Sequence, residues 1–315
     1  MKTAQCINRI LFPVIKKIGF AVCFSVLFLF PPDLYAGNES MRTAVDQVGR
    51  EICFPEDPGR VVSLAPSITE IIYALGREDR LKGATLYSDF PLPAEKLPKV
   101  GSYVHLDLER IVALNPDLCI AVKDGNPKAT VDRLNAFGIP VYAVNPVDLD
   151  SVINAVYQIG DLLNAKEKAD DLAREMTSRI KRVDNLVSQS ELRPKVFFQI
   201  GISPIVTVGE NTFLNELIVR AGGINLGRGG SSAYPRFSRE EVLCMNPDII
   251  IITSMARAEL FERVKKQWAS WPQLSAVQKN QIYIVDSNIL DRPTPRMVDG
   301  LKMLARLIHP ELFDD

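Results

Sequence analysis

Two glutamates, Glu109 and Glu240, stand 131 positions apart in stretches that resemble one another. The first stretch, residues 107–120, reads DLERIVALNPDLCI; the second, 238–251, reads SREEVLCMNPDIII. Each predicts an N-cap residue, a short helix, an Asn-Pro-Asp turn and an apolar strand. Self-similarity of this kind implies two lobes built alike. A carboxylate in the first turn of a helix has a local explanation, because the helix dipole favours it by about 0.3–1 kcal/mol. It also has a sharper one: two equivalent carboxylates on two equivalent lobes suit a partner with two-fold symmetry.

Catalytic signatures are missing. The chain holds no GxSxG elbow and no HExxH, and pairs such as Glu240-Glu241 read as exposed helix residues. Its only histidines are His105 and His309, too far apart in sequence to suggest a metal cluster. His105 reads as an exposed loop residue and His309 as a surface feature near the C-terminus. No CxxC is present, and Cys119 and Cys244, set in apolar surroundings, read as buried core thiols. The glycines at 222–223 and 227–230 lack the spacing of a phosphate loop and read as a helix C-cap and a loop. The expectation is therefore no enzyme, no metal and no resident cofactor. Three tyrosines, Tyr87, Tyr103 and Tyr234, follow strands or precede helices, where α/β proteins form ligand clefts. A tyrosine offers a flat apolar face with a hydroxyl at its tip, which suits a large planar ring.

The elements that must position these residues alternate. Residues 41–59 read as a hairpin, and 60–64 as a short strand. Ser67 and Glu70 then have the spacing of a capping box, for a helix ending at Gly76. Strands at 118–122 and 141–144 flank a helix at 128–137 that Gly138 closes. Residues 149–190 carry no proline and one glycine, Gly160, with apolar positions at helical spacing, and predict one long helix or two in succession. Alternation then resumes with a strand from Val196, a helix at 213–221, a strand at 249–252, a helix around 258–267, a strand at 282–285 and a helix near 296–308. Strand–helix alternation implies parallel βαβ units. The fold class is α/β, with two Rossmann-like lobes and a long helix between them.

The start of the chain is different. Lys16 and Lys17 precede an apolar run, 19–30, that ends in small residues at Ala36. The run is too short to span a bilayer and predicts a secretory signal cleaved near Ala36. Cys23 follows Val22, where lipoprotein processing favours a small residue, so a soluble exported protein is expected rather than a lipid-anchored one. Residues 1–36 hold Lys2, Arg9, Lys16 and Lys17 against Asp33, so the whole chain's net charge of −1 becomes −4 without them. That balance argues against nucleic acid as a partner. The expected organisation is a signal at 1–36, an N-terminal lobe at 37–148, a helical connection at 149–192 and a C-terminal lobe at 193–315.

The stretches RVVSLAPSITEIIYALG, LYSDFP and KVGSY, with the Leu-Glu-Arg-Ile-Val-Ala-Leu run around Glu109, resemble class III periplasmic binding proteins. These serve importers of cobalamin, ferric siderophores and haem. The second half, from VFFQIGISPIVTVGEN to NPDIIIIT, is similar to the cobalamin-binding branch. The resemblance spans about residues 60–310 and implies a ligand cleft between the lobes. It implies a binding protein in the periplasm that hands a corrinoid to an ABC permease and its ATPase, and a monomer is expected. It further implies that Glu109 and Glu240 dock on basic pockets of that permease. Tyr87 matches an aromatic that lines the corrinoid cleft. Tyr103 and Tyr234 fall where that branch has tryptophans, and Val122 replaces another. Asn288 replaces an aspartate, and Arg292 is retained. The same class leaves a ferric siderophore or haem as alternative ligands. A nitrogenase-like or chelatase-like enzyme shares fold features, but would want cysteine ligands or a clear base and no signal.

Overall fold

The runs LCIAV and IIII form central strands of two parallel sheets in a computed structural model of the chain, which describes residues 40–230, 232–253 and 258–313. The expected signal, 1–36 with its cleavage point near Ala36, lies outside the described residues. The chain divides into two compact units that are not continuous in sequence. The first takes the residues up to Ala65, Asp79–Asp89 and Pro93–Val144; the second takes Pro66–Glu78, Phe90–Leu92 and Asn145–Asp315.

Strands β1 (Met41–Val45) and β2 (Glu51–Pro55) pair as an antiparallel hairpin. Asp46 organises its turn by accepting from the N–H groups of Val48 and Arg50. β3 (Val61–Ser63) leads to helix α1 (Pro66–Ala74), which groups with the second unit. β4 (Leu81–Gly83), α2 (Leu108–Ala113), β5 (Leu118–Val122), α3 (Lys128–Ala136) and β6 (Val141–Val144) complete the first unit. Its sheet runs β4-β3-β5-β6, all parallel. β5 and β6 are buried at every position, as strands covered on both faces must be. Val62, Leu64, Ile111, Cys119, Leu134 and Val141 form the core beneath helices α2 and α3.

After α1, the second unit continues with α4 (Leu149–Leu162) and α5 (Lys166–Val187). The chain passes between them through Asn164, whose φ of 53° breaks the helical run, so 149–190 holds two helices rather than one. α5 buries Ala169, Ala173, Met176, Ile180, Val183 and Val187, a stripe at alternating four- and three-residue steps. Gly160 lets α4 approach α5: a Cβ there would stand 2.4 Å from the Cβ of Ala169.

Then follow β7 (Lys195–Gly201), β8 (Ile205–Thr207), α6 (Phe213–Arg220), β9 (Ile224–Asn225), β10 (Arg236–Phe237), α7 (Arg239–Met245), β11 (Ile249–Ile252), α8 (Ala258–Ala269), α9 (Ser275–Gln278), β12 (Ile282–Ile284), α10 (Ser287–Leu290) and α11 (Met297–Ile308). β9, β7, β11 and β12 pair parallel in the same order as β4, β3, β5 and β6. β8 and β10 extend this sheet antiparallel from the edge of β7 that β9 occupies at its start, with β8 pairing further along at Gln199 and Gly201.

The repeated Asn-Pro-Asp turn does the same work in both units. Asn115 and Asn246 adopt left-handed conformations, with φ of 46° and 47°. Asp117 accepts from the backbone N–H groups of Gly59 and Arg60, just ahead of β3. Asp248 accepts from the N–H of Lys195, at the start of β7. Each aspartate thereby ties the strand it precedes to the neighbouring parallel strand.

Three local expectations are corrected. Glu70 does not close a capping box with Ser67, because α1 starts at Pro66 and the Glu70 carboxylate binds arginines instead. His309 is not a surface residue. It is fully buried, with Nδ1 at 3.1 Å from Glu311 and Nε2 at 3.4 Å from the carbonyl oxygen of Gly222. Cys119 is buried as expected, whereas Cys244 is exposed, since α7 is too short to bury more than Val242.

Candidate functional site

In the first unit, Tyr87 and Tyr103 come together. Their rings meet edge to face, with centroids 6.5 Å apart. Tyr87 is half exposed and follows Thr85 in a turn that the Ser88 N–H closes onto the Thr85 carbonyl. Lys99 pins this turn from below, donating to the carbonyls of Ser88 at 2.8 Å and Ala94 at 3.0 Å. Burial lowers the pKa of that lysine, with partial compensation from Asp89 and Glu95.

Tyr103 is held through its backbone. The buried Asn126 donates from Nδ2 to the carbonyls of Tyr103 and Leu64, both at 2.8 Å, and accepts the Val122 N–H at 2.8 Å. Asn126 thus links the ends of β3 and β5 to the tyrosine loop. Those two strands flank the point where the strand order reverses, the usual ligand position in open α/β sheets. Gly125, at φ +131°, makes room for the ring: a Cβ there would come within 2.9 Å of Tyr103 Cδ2. Val122 is itself buried.

The second unit carries Tyr234, Asn288 and Arg292. Tyr234 is half exposed, but the backbone on either side is fixed. The carbonyl of Ala233 accepts from Gly209 at 2.8 Å, and that of Pro235 from Thr207 at 3.0 Å. Asn288 lies in α10, its N–H bonded to the capping carboxylate of Asp286 at 2.8 Å. Arg292 follows two residues after α10 and has a side chain 11% exposed.

Beside Asn288 and Arg292 lies a network that the sequence did not signal. Glu70 receives Arg296 at 2.8 Å on each carboxylate oxygen and Arg292 at 3.4 Å. Arg296 also donates to the Asn288 carbonyl at 3.2 Å, and its guanidinium lies 3.7 Å from the centroid of the Phe90 ring. The one available signal was Glu70 itself, a single acid in the otherwise uncharged helix PSITEIIYA. Beside Arg292, burial pushes the Asp291 carboxyl up to about pKa 7 against the opposing effects of Thr253 and Arg292. Asp291 Oδ1 has no hydrogen-bond partner among the described residues.

Glu109 and Glu240 lie in the first turns of α2 and α7. Both are exposed and make no hydrogen bond or ion pair among the described residues. Neighbours cap both helices. The side chain of Asp107 accepts from the N–H of Arg110, and Ser238 and Glu241 form a full capping box. Hydrogen bonds from Ser238 hold the Glu241 carboxyl below its ordinary range. No group of three or more His, Cys, Asp or Glu that could hold a metal ion occurs among the described residues. His105 is exposed, as expected. Among the described residues no helix is long and apolar enough to cross a membrane.

Two α/β units with matched parallel sheet orders are the architecture of a solute-binding protein. A family model of periplasmic binding proteins matches residues 61–289, and the chain belongs to that family. It is 32% identical over 243 residues to a vitamin B12-binding protein of Vibrio parahaemolyticus serotype O3:K6, covering 77% of this chain and 86% of the relative. It is 30% identical over 281 residues to an uncharacterised ABC transporter substrate-binding lipoprotein of Bacillus subtilis, covering 87% of each. The crystal structure of the periplasmic vitamin B12 binding protein of Vibrio cholerae superposes with a TM-score of 0.72 at 28% identity, over 83% of this chain and all of that one.

Proposed function

We propose that this protein is the extracytoplasmic substrate-binding protein of an ABC transporter, and that its substrate is a corrinoid. The observation that carries the ligand reading is the paired Tyr87 and Tyr103, presented at the ends of β3 and β5 by Asn126 and Lys99. Flat, partly exposed tyrosine faces on a fixed framework suit a rigid macrocycle, because little side-chain entropy is lost on binding. Tyr234 adds a third face. Asn288 and Arg292 supply polar contacts, and a guanidinium fork suits the amide or phosphate oxygens at the edge of a corrinoid. Similarity to vitamin B12-binding proteins supports the same substrate class. The chain is exported by the segment cleaved near Ala36 and works as a monomer with a membrane permease and its ATPase. Glu109 and Glu240 are its contacts on that permease.

Calorimetric titration of the Tyr103→Ala, Tyr234→Ala double variant tests the ligand reading. Losing two stacking faces worth about 0.5–1.5 kcal/mol each should weaken corrinoid binding by about five- to 150-fold. Unchanged corrinoid binding in that variant, with haemin bound more tightly than any corrinoid by the unaltered protein, would contradict it.

A further inference from the structure

We propose that Glu70 sets the charge selectivity of ligand binding through Arg292; this rests on the reading of Arg292 as a ligand contact. The Glu70 carboxylate is 3% exposed and divides itself unequally between two guanidinium groups. Arg296 takes both oxygens at 2.8 Å, while Arg292 reaches one of them at 3.4 Å. Arg296 is further fixed by the Asn288 carbonyl and by the face of Phe90. Its position is therefore set from three directions, and Arg292 takes the longer contact.

The charge that Arg292 presents to a ligand depends on how much of Glu70 it receives. Three charged groups packed so closely, one of them buried, respond together to the loss of any member, and salt screens them little. Neutralising Glu70 raises the local charge by one and neutralising Arg296 lowers it by one, although both changes break the same ion pair. A ligand edge made of carboxylates feels that difference strongly; an edge made of amides feels only a dipole's share of it. Glu70 therefore acts as a specificity-determining residue that tempers the cationic character of Arg292 and favours an amide-rich periphery over a carboxylate-rich one.

The test compares two probes with one ring: dicyanocobinamide, whose periphery is amides, and dicyanocobyrinic acid, whose periphery is carboxylates. Affinities are measured at about pH 8.5, above the value near 7 to which burial raises the Asp291 carboxyl. Glu70→Gln should shift the affinity ratio toward the carboxylate form by about tenfold, and Arg296→Gln should shift it toward the amide form by a similar factor. The double variant Glu70→Gln, Arg296→Gln restores the local charge and should return the ratio to that of the unaltered protein. A purely structural role predicts losses for both probes together, so single variants that move the ratio in one direction, or not at all, overturn the proposal. If Glu70→Gln does not fold, Arg296→Gln and the double variant carry the test, and a double variant that keeps the single variant's ratio overturns it. An unaltered protein that binds neither corrinoid overturns the ligand reading, and this proposal with it; binding of both with an unmoved ratio overturns the proposal alone.

Discussion

Glu109 and Glu240 are exposed acids in positions where an acid has a ready local use, the stabilisation of a helix start. In this chain that use is already filled, by Asp107 in α2 and by the Ser238–Glu241 box in α7. The proposed docking role asks more of the pair: that two carboxylates on rigid first turns fix register against a cationic partner surface. Reversing both, Glu109→Arg with Glu240→Arg, should abolish uptake in cells that depend on this protein while leaving corrinoid affinity in solution unchanged. If the carboxylates serve only their own helices, the reversal should instead lower the melting temperature, and transport should fall only with the folded fraction. Asp291 makes a different prediction. Its carboxyl keeps a proton up to about pH 7 in the folded chain, against an ordinary value of 3.8. The folded state binds the extra proton between those limits, so this group's contribution to stability falls as pH rises from about 4 to 7. The melting temperature of Asp291→Asn should decline less over that window than that of the unaltered protein; parallel curves would refute the assignment.

Among the elements, those specified by their own residues were legible. The apolar runs at 118–122, 141–144 and 249–252 became β5, β6 and β11 at the expected boundaries. The apolar positions from Leu172 to Val187 fall in α5, where Met176, Ile180, Val183 and Val187 are buried and Leu172 and Leu186 only partly so. Elements specified by a distant partner were not. β8, β9 and β10 span two or three residues each and owe their form to pairing along β7 and β8. The burial of His309 depends on the space over Gly222, and the role of Glu70 on arginines more than two hundred residues away. The same distance hides the grouping of α1 with the second unit, since α1 packs on α4 and receives Arg296. In the candidate site, the tyrosines were visible as residue types, whereas Asn126, which holds Tyr103, looked like any loop asparagine. Close helix packing gives a direct check. Gly160→Val would drive a side chain into Ala169 and should destabilise the fold by about 1–3 kcal/mol, read as a lower denaturant midpoint. An unchanged midpoint would mean that α4 and α5 do not cross so closely.

Across the molecule, two units repeat one sheet order, one Asn-Pro-Asp device and one exposed first-turn glutamate. The first unit adds a tyrosine pair and the second a guanidinium cluster. A chain built for covalent chemistry would concentrate a nucleophile, a base and an orienting group at one point. Here the distinctive side chains are the tyrosine rings, the guanidinium cluster and the exposed first-turn carboxylates, to which the proposed function assigns capture and delivery. Family membership supports the same conclusion. The substrate is the claim on which the rest depends, and calorimetric titration of the unaltered protein with cyanocobalamin, dicyanocobinamide, haemin and a ferric siderophore tests it most directly. Saturable one-to-one binding of a corrinoid, tighter than that of haemin or the siderophore, is the predicted result. Tight binding of haemin or the siderophore, with no heat from either corrinoid, would contradict the account.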